Sequence, residues 1–389
     1  MTHTPLSVTP VPLLDVGRGN APLRDEFLEA LAGVIDSGRF LFGPDVESLE
    51  REVASYSQVA HAIGCASGSD ALLLALMAAE VGEGDEVIVP SFTFFASVSC
   101  ITRLGATPVF VDIRPDTYNI DAEKIAEAIT PKTKAIIPVH LFGQCAEIDR
   151  ICQIAAEHDL VVIEDAAQAI GAAYHSRPAG SWGSIGCFSF YPTKNLGGMG
   201  DGGMLTTGDA ATADKLRLLG SHGMRPRYYH RILGINSRLD TFQAAVLRVK
   251  MRHLPAAVEA RQANAERYQT MFRDAGLLDE GCIELPTRDP NAFHVWNQYT
   301  MRVTGGQRDR LKASLAENGI GTEIYYPVPM HKQDCFAGIA IPKSGLPETE
   351  RACAEVLNLP IYPELRIDEQ ARVVDSIAQY YRRQARLAA

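Results

Sequence analysis

The chain is short of most features that declare a function outright. No apolar run approaches the ~20 residues that carry a helix across a bilayer, so no membrane span is expected. The first residues, MTHTPLSVTPVPLLD, have no positive start leading into an apolar core, and a secretory signal is not expected either. Lysine and arginine form no long block. The short basic stretch Arg225–Arg231 sits in a chain of net charge -10, which argues against nucleic acid as a partner. The eight cysteines include no C-x-x-C pair, and the ten histidines no H-E-x-x-H or comparable ligand spacing. Reduced, mostly packed thiols, a cytoplasmic location and no metal are expected. Internal repeats and low-complexity segments are missing as well.

What remains is an ordinary globular composition, with 46% hydrophobic and 22% charged residues over 389 positions. That length favours two domains over a single core. After a proline-bearing arm, residues 22 to 37 place Phe27, Leu31, Val34 and Ile35 on one helical face, and Gly43-Pro44 opens a second helix carrying Val46, Leu49 and Val53. Short apolar runs then alternate with helical patterns. The runs are Ala60–Cys65, Glu86–Pro90, Thr107–Val111, Lys134–His140 and Leu160–Glu164; helices are expected at Asp70–Ala79, Thr93–Leu104, Glu123–Ile129 and Glu147–His158. Runs such as VIV and LVVI are apolar throughout, as strands buried on both faces are. The expected class is α/β, a mostly parallel sheet between helix layers that binds its ligand at the strands' carboxyl ends. Beyond about residue 220 the alternation fades. A helical stretch from Leu239 towards Phe272 is expected to break at Pro255, which divides the chain into 1–254 and 255–389. The second part reads as a smaller α+β domain: strands at Asn297–Val303 and Gly321–Tyr326, helices at Gln307–Asn318, Glu348–Leu357 and Asp368–Arg386.

The unusual residues collect where the strands end. Cys187–Tyr191 reads as a buried strand, Pro192 stops it, and glycines at 197, 198, 200, 202 and 203 follow. Between them stands Lys194. Desolvated at a sheet mouth, such a lysine becomes an amine nucleophile able to form a Schiff base. Taken alone, Lys194 reads better as a surface residue in a flexible loop, so the case for it comes from the rest of the chain. The stretch from Gly64 to Asp70, just before a helix, offers bare amides and hydroxyls suited to a phosphate, and suited equally to plain helix capping. One of Phe92, Phe94 and Phe95 can stack on a flat ring, although core packing is the commoner fate. Glu164 and Asp165 follow VVI, where an unpaired acid is costly, and one of them can hold a protonated ring nitrogen or simply cap a helix. Anion cradle, stacking aromatic, ring-nitrogen acid and imine lysine together are what a pyridoxal phosphate (PLP) enzyme requires.

Seven ordered motifs extend the pattern along nearly the whole chain: GPDVESLE (43–50), GCASGSDAL (64–72), PSFTFFAS (90–97), IEDAAQAIGA (163–172), SFYPTKNLGGMGDGG (189–203), GINSRLDTFQAA (234–245) and YYPVPMHKQ (325–333). In these the chain resembles the DegT/DnrJ/EryC1/StrS family of PLP-dependent sugar aminotransferases. The resemblance implies fold type I, a seven-stranded sheet in the large domain, and a homodimer with shared sites. It implies Lys194 as the Schiff-base lysine, Asp165 at the pyridinium nitrogen, Gln168 at the phenolic oxygen and Phe94 stacked on the ring. Ser189 and the backbone of Gly68 and Ser69 would bind the phosphate, joined by Asn236 from the neighbouring subunit. Arg238, Tyr325, Tyr326 and His331 are candidate substrate contacts. Members acting on uronic acids carry His where this chain has Tyr325, which counts against a carboxylated sugar. The implied reaction moves an amino group from L-glutamate to a nucleotide-linked keto-sugar, the cofactor cycling through pyridoxamine phosphate (PMP). The alternatives are a PMP-dependent sugar dehydratase, in which histidine replaces the lysine present here, and a PLP-binding regulator without turnover.

Overall fold

Two apolar cores sandwich one sheet, and a third core lies beyond it. The computed structural model describes residues 9–278 and 281–388, so the first eight residues of the expected arm lie outside the described residues. The sheet strands are β1 (His61–Cys65), β2 (Glu86–Pro90), β3 (Thr107–Val111), β4 (Thr133–Ile136), β5 (Val161–Asp165), β6 (Ile185–Ser189) and β7 (Gly203–Thr207), in the order β1-β7-β6-β5-β4-β2-β3. All neighbours pair in parallel except β7, which runs against both β1 and β6. The apolar strands bury both faces: Val87, Val89 and Ile163 enter the core under the helix Gly68–Ala78, whereas Ile88 and Val162 enter the opposite core. This period of two decides the active site, because successive side chains on β5 must point to opposite sides.

The first two expected helices are present at Arg24–Ser37 and Pro44–Tyr56. Phe27 and Val34 are buried, but Ile35 is exposed, being turned about 100° from Val34 around the helix axis. The expected break at Pro255 is absent: one helix of 34 residues runs from Thr241 to Asp274. Proline removes one hydrogen bond, yet Pro255 lies on the exposed side while Leu254 and Val258 hold the buried side to the core. The same helix supplies Leu247 to the sheet core and Tyr268 and Phe272 to the third core.

That third core packs against the antiparallel strands β8 (Ile283–Glu284), β9 (Tyr299–Val303) and β10 (Val356–Leu359). Val11 of the arm joins it, bridged to Ile320. Two expectations fail in this part. Gly321–Tyr326 is an irregular connection with one bridge, Glu323 to Asn358, and the helix from Pro347 ends at Glu355 so that Val356 and Leu357 belong to β10. Side chains Phe92, Val139 and Phe142, from the segments that follow β2 and β4, meet Ala352 and Val356 in a shared cluster, which fixes the two parts together beside the sheet's carboxyl ends.

Candidate active site

The segment bearing Lys194 is a tethered loop. After β6 the chain doubles back, with Phe190 N donating to Gly202 O at 2.8 Å and Gly198 N to Phe190 O at 2.8 Å. Only glycine permits that path at 197, where a Cβ would lie 2.4 Å from the Pro192 carbonyl oxygen. The long helix clamps the loop: Gln243 Oε1 accepts from Met199 N at 2.8 Å, and Lys250 Nζ donates to Gly197 O at 2.8 Å. From the other side, Asn195 Nδ2 donates to Val295 O at 3.0 Å. Lys194 is thereby carried half-buried into a cavity of about 480 Å³, a size suited to a small-molecule ligand. Burial pulls its amine down to a pKa of about 8, against the opposing pull of the Asp165 carboxylate.

The two acids at the end of β5 part company. Glu164 turns into the sheet core, accepting from His140 Nε2 at 2.9 Å and from the amides of Gly180, Trp182 and Gly183 at 2.7–2.8 Å. His140 Nδ1 accepts from Ala146 N at 3.1 Å, so its proton sits on Nε2 and is given to Glu164. Asp165 faces the cavity. Its Oδ2 accepts from Ser97 Oγ at 2.7 Å and its Oδ1 from Ala167 N at 3.2 Å. Burial raises its pKa, and those two donors, with the Lys194 ammonium, work to lower it. An acid that is buried, partly hydrogen-bonded and facing an amine across a cavity is poised to take a cationic N–H from a ligand.

Around this pair stand the parts of a cradle. Ser67 caps the helix Gly68–Ala78 by accepting from Asp70 N at 3.1 Å, which leaves the leading amides of Gly68 and Ser69 towards the cavity they line. Close approach demands glycine here: a Cβ on Gly68 would lie 2.6 Å from Ser189 Cβ, and one on Gly203 would lie 2.4 Å from Ser67 O. An anion at this helix end would also meet the Ser189 hydroxyl. Of the three phenylalanines, Phe92 is core and Phe95 stacks on Phe336; Phe94 lines the cavity, exposed, its ring centroid 6.1 Å from that of Tyr326. Gln168 Oε1 accepts from Phe142 N at 2.6 Å, so its amide donors turn towards Tyr326 and the cavity. Phosphate-sized cradle, flat hydrophobic cover, ring-nitrogen acid and depressed-pKa lysine fit PLP. Among the described residues no group of three or more His, Cys, Asp or Glu converges as metal ligands would.

Gly68, Ser69, Phe94, Asp165, Gln168, Ser189, Lys194, Tyr325 and Tyr326 all line this one cavity. His331 does not. It is tied to Ser91 Oγ through Nδ1 at 2.8 Å and to Glu350 Oε1 through Nε2 at 3.3 Å, linking the end of β2 to the C-terminal part. Arg238 lies away from the cavity, 5.5 Å over the Phe42 ring, and Asn236 is an exposed residue bridged to Ser221. His294 stacks on Trp296 in the core, and burial lowers its pKa to about 3. Ser97 and Gln298, which face Asp165 and the cavity respectively, were not among the expected site residues; Ser97 closes the 90–97 motif where a serine reads as a cap, and Gln298 reads as a strand neighbour.

Fold and site together define a PLP-dependent transferase. The chain belongs to the DegT/DnrJ/EryC1/StrS aminotransferase family, whose model matches residues 22–378. Solved neighbours of this fold include both PLP and PMP forms, and this chain is an aminotransferase using the same cofactor pair. It is 48% identical to a "Pleiotropic regulatory protein" of Geobacillus stearothermophilus, over 96% of this chain and 99% of that one. It is 46% identical to a UDP-N-acetyl-3-dehydro-alpha-D-glucosamine 3-aminotransferase of Acidithiobacillus ferrooxidans, over 95% and 97%. The crystal structure of S. venezuelae DesV superposes with a TM-score of 0.91 at 44% identity, covering 95% of this chain and 98% of that one. Among the described residues no helix is long and apolar enough to cross a membrane.

Proposed function

We propose that the chain moves an amino group from L-glutamate to the keto carbon of a nucleotide-linked sugar, as a cytoplasmic homodimer with shared sites. The observation that carries this reading is the Lys194 amine, with its lowered pKa, facing Asp165 across one cradle-bearing cavity. The sugar is supported by the name of the Acidithiobacillus relative, an aminotransferase of a UDP-linked 3-dehydro sugar.

When bound, PLP supplies an electron sink and carries the amino group between its aldehyde and amine forms. The chain's residues do the rest. Asp165 accepts the ring-nitrogen proton bond and keeps that nitrogen cationic. Phe94 would cover the ring and Gln168 would donate to its phenolic oxygen. The Gly68 and Ser69 amides and the Ser189 hydroxyl would hold the phosphate. Lys194, about half uncharged at pH 8, takes the proton from the substrate carbon and returns it, acting as base and then acid.

A feature of the charges supports the two-subunit reading. The charged residues lining the cavity are Asp165, Lys194 and Asp201, so an anionic substrate finds little compensation in one subunit. The segment around 225–238 exposes Arg227 and Arg231 beside bare Tyr228, Tyr229 and Leu233, an apolar and cationic surface suited to a neighbour's site. Asn236 lies on it, consistent with a reach to the partner's phosphate. Tyr325 and Tyr326 remain substrate candidates; His331, held by Ser91 and Glu350, does not.

The regulatory name of the Geobacillus relative favours a second reading, cofactor binding without turnover. The test is common to both. Adding glutamate should bleach the visible absorbance of the holoenzyme, and Lys194→Ala should abolish turnover with nucleotide-linked 3-keto and 4-keto sugars. Turnover retained in Lys194→Ala would sink the mechanism, and absorbance unmoved by any amino donor would favour the second reading.

A further inference from the structure

Beside Asp165 lies a chain of two hydroxyls that the assigned roles leave unused, Ser97 buried outside the cavity lining and Thr93 buried at the cavity wall. Ser97 is fully buried in the first turn of the helix Ala96–Arg103, and its Oγ lies 2.7 Å from Asp165 Oδ2. Thr93 Oγ1 lies 2.9 Å from the same Ser97 oxygen. The direction of the protons follows from counting donors. A carboxylate only accepts, so Ser97 spends its single proton on Asp165. The Thr93 hydroxyl must then donate to Ser97, and the relay runs Thr93 to Ser97 to Asp165. Bonds aligned this way polarise one another, and the last one, ending on an anion, is the strongest.

The geometry points to Ser97, backed by Thr93, as the positioning residue that holds the Asp165 carboxylate ionised and aimed at a cofactor ring nitrogen. The inference rests on the PLP site described above. Asp165 has two competing needs. It must be buried to act strongly on the ring, and burial drives a carboxyl towards its neutral form. Without help, burial would push the carboxyl further towards its neutral form, a weak partner for a pyridinium. The Ser97 donor offsets this, occupying one oxygen and leaving the cavity side open. The other titratable groups near Asp165 are Lys194, His140, Tyr326, Cys100 and Cys187. The Lys194 ammonium favours the carboxylate; His140 spends its one proton on Glu164, and burial keeps Tyr326 and both thiols neutral, so none of these takes the place of Ser97.

The test compares Ser97→Ala, Ser97→Thr and Thr93→Val with the wild-type holoenzyme, reading PLP affinity and the pH titration of the bound cofactor's visible absorbance. Ser97→Ala should weaken PLP binding about tenfold, the loss of a hydrogen bond to a charged group. Its absorbance midpoint should move to higher pH, because a ring nitrogen without its proton no longer repels the proton on the nitrogen that Lys194 supplies. Ser97→Thr keeps a hydroxyl and should keep the wild-type curve. Thr93→Val should shift the curve the same way by less, about twofold in affinity, and carries the test if Ser97→Ala does not fold. Wild-type affinity and midpoint in folded Ser97→Ala, or in Thr93→Val where that variant carries the test, would overturn the inference. Failure of the wild-type chain to take up PLP would instead overturn the site reading itself.

Discussion

Glu164 and Asp165 are neighbours on one strand, both buried, and opposite in purpose. Glu164 accepts four donors, one from His140 and three from backbone amides, and has no capacity facing a ligand. Asp165 accepts two, from Ser97 and Ala167, and turns its remaining capacity to the cavity. Strand alternation sends them to opposite faces, one into a closed core and one to the sheet mouth. The difference teaches what burial alone does not reveal. A buried acid whose acceptors are filled by its own chain holds the fold together, and one left part-filled beside an amine is kept for a ligand.

Substitution breaks this contrast in two directions. Asp165→Asn should cost the largest effect, a fall in turnover of about 10²- to 10³-fold for the loss of one preorganised charge. The apo protein should melt no lower than wild type, since a neutral amide relieves a carboxyl whose pKa burial has raised. Glu164→Gln should do the reverse. Its new NH₂ group would confront donors on every side, destabilising the fold by about 3 kcal/mol in a denaturant titration. The folded fraction should still bind PLP.

The sequence shows some of this and hides the rest for physical reasons. β2 and β3 match their expected bounds because each is an unbroken apolar run stopped by a turn or proline. Lys194, Asp165 and the Gly68 cradle were legible because strand ends and glycine loops leave local signs. The roles of the two acids were not separable, because the partners of Glu164 lie 16 to 24 residues away and three of them are backbone amides. Ser97 escaped notice since a serine in a first turn looks like a cap. Gly321–Tyr326 passed for a strand on its local alternation, but no neighbouring strand pairs along its length. Pro255 failed as a helix break because burial on either side of it outweighs one lost hydrogen bond.

Two smaller effects sharpen the contrast. PLP capture by the apoenzyme needs an uncharged amine, so its rate should rise about tenfold per pH unit below the Lys194 pKa and level off above about 8. An ordinary exposed lysine would keep accelerating towards pH 10. Stopped-flow absorbance distinguishes the two. Smallest of all, Ser91→Ala removes one partner of His331 at the seam and should cost about 1 kcal/mol of stability. The KM for either substrate should not change, in keeping with a histidine that joins two parts of the fold and lies outside the cavity lining.

The most direct measurement takes apo Asp165→Asn and apo Glu164→Gln side by side, recording the melting temperature and the PLP dissociation constant of each. The account predicts a crossing: Asp165→Asn melts like wild type and loses at least about tenfold in PLP affinity, whereas Glu164→Gln melts lower and keeps its affinity once folded. The same loss of both properties in the two variants would contradict it.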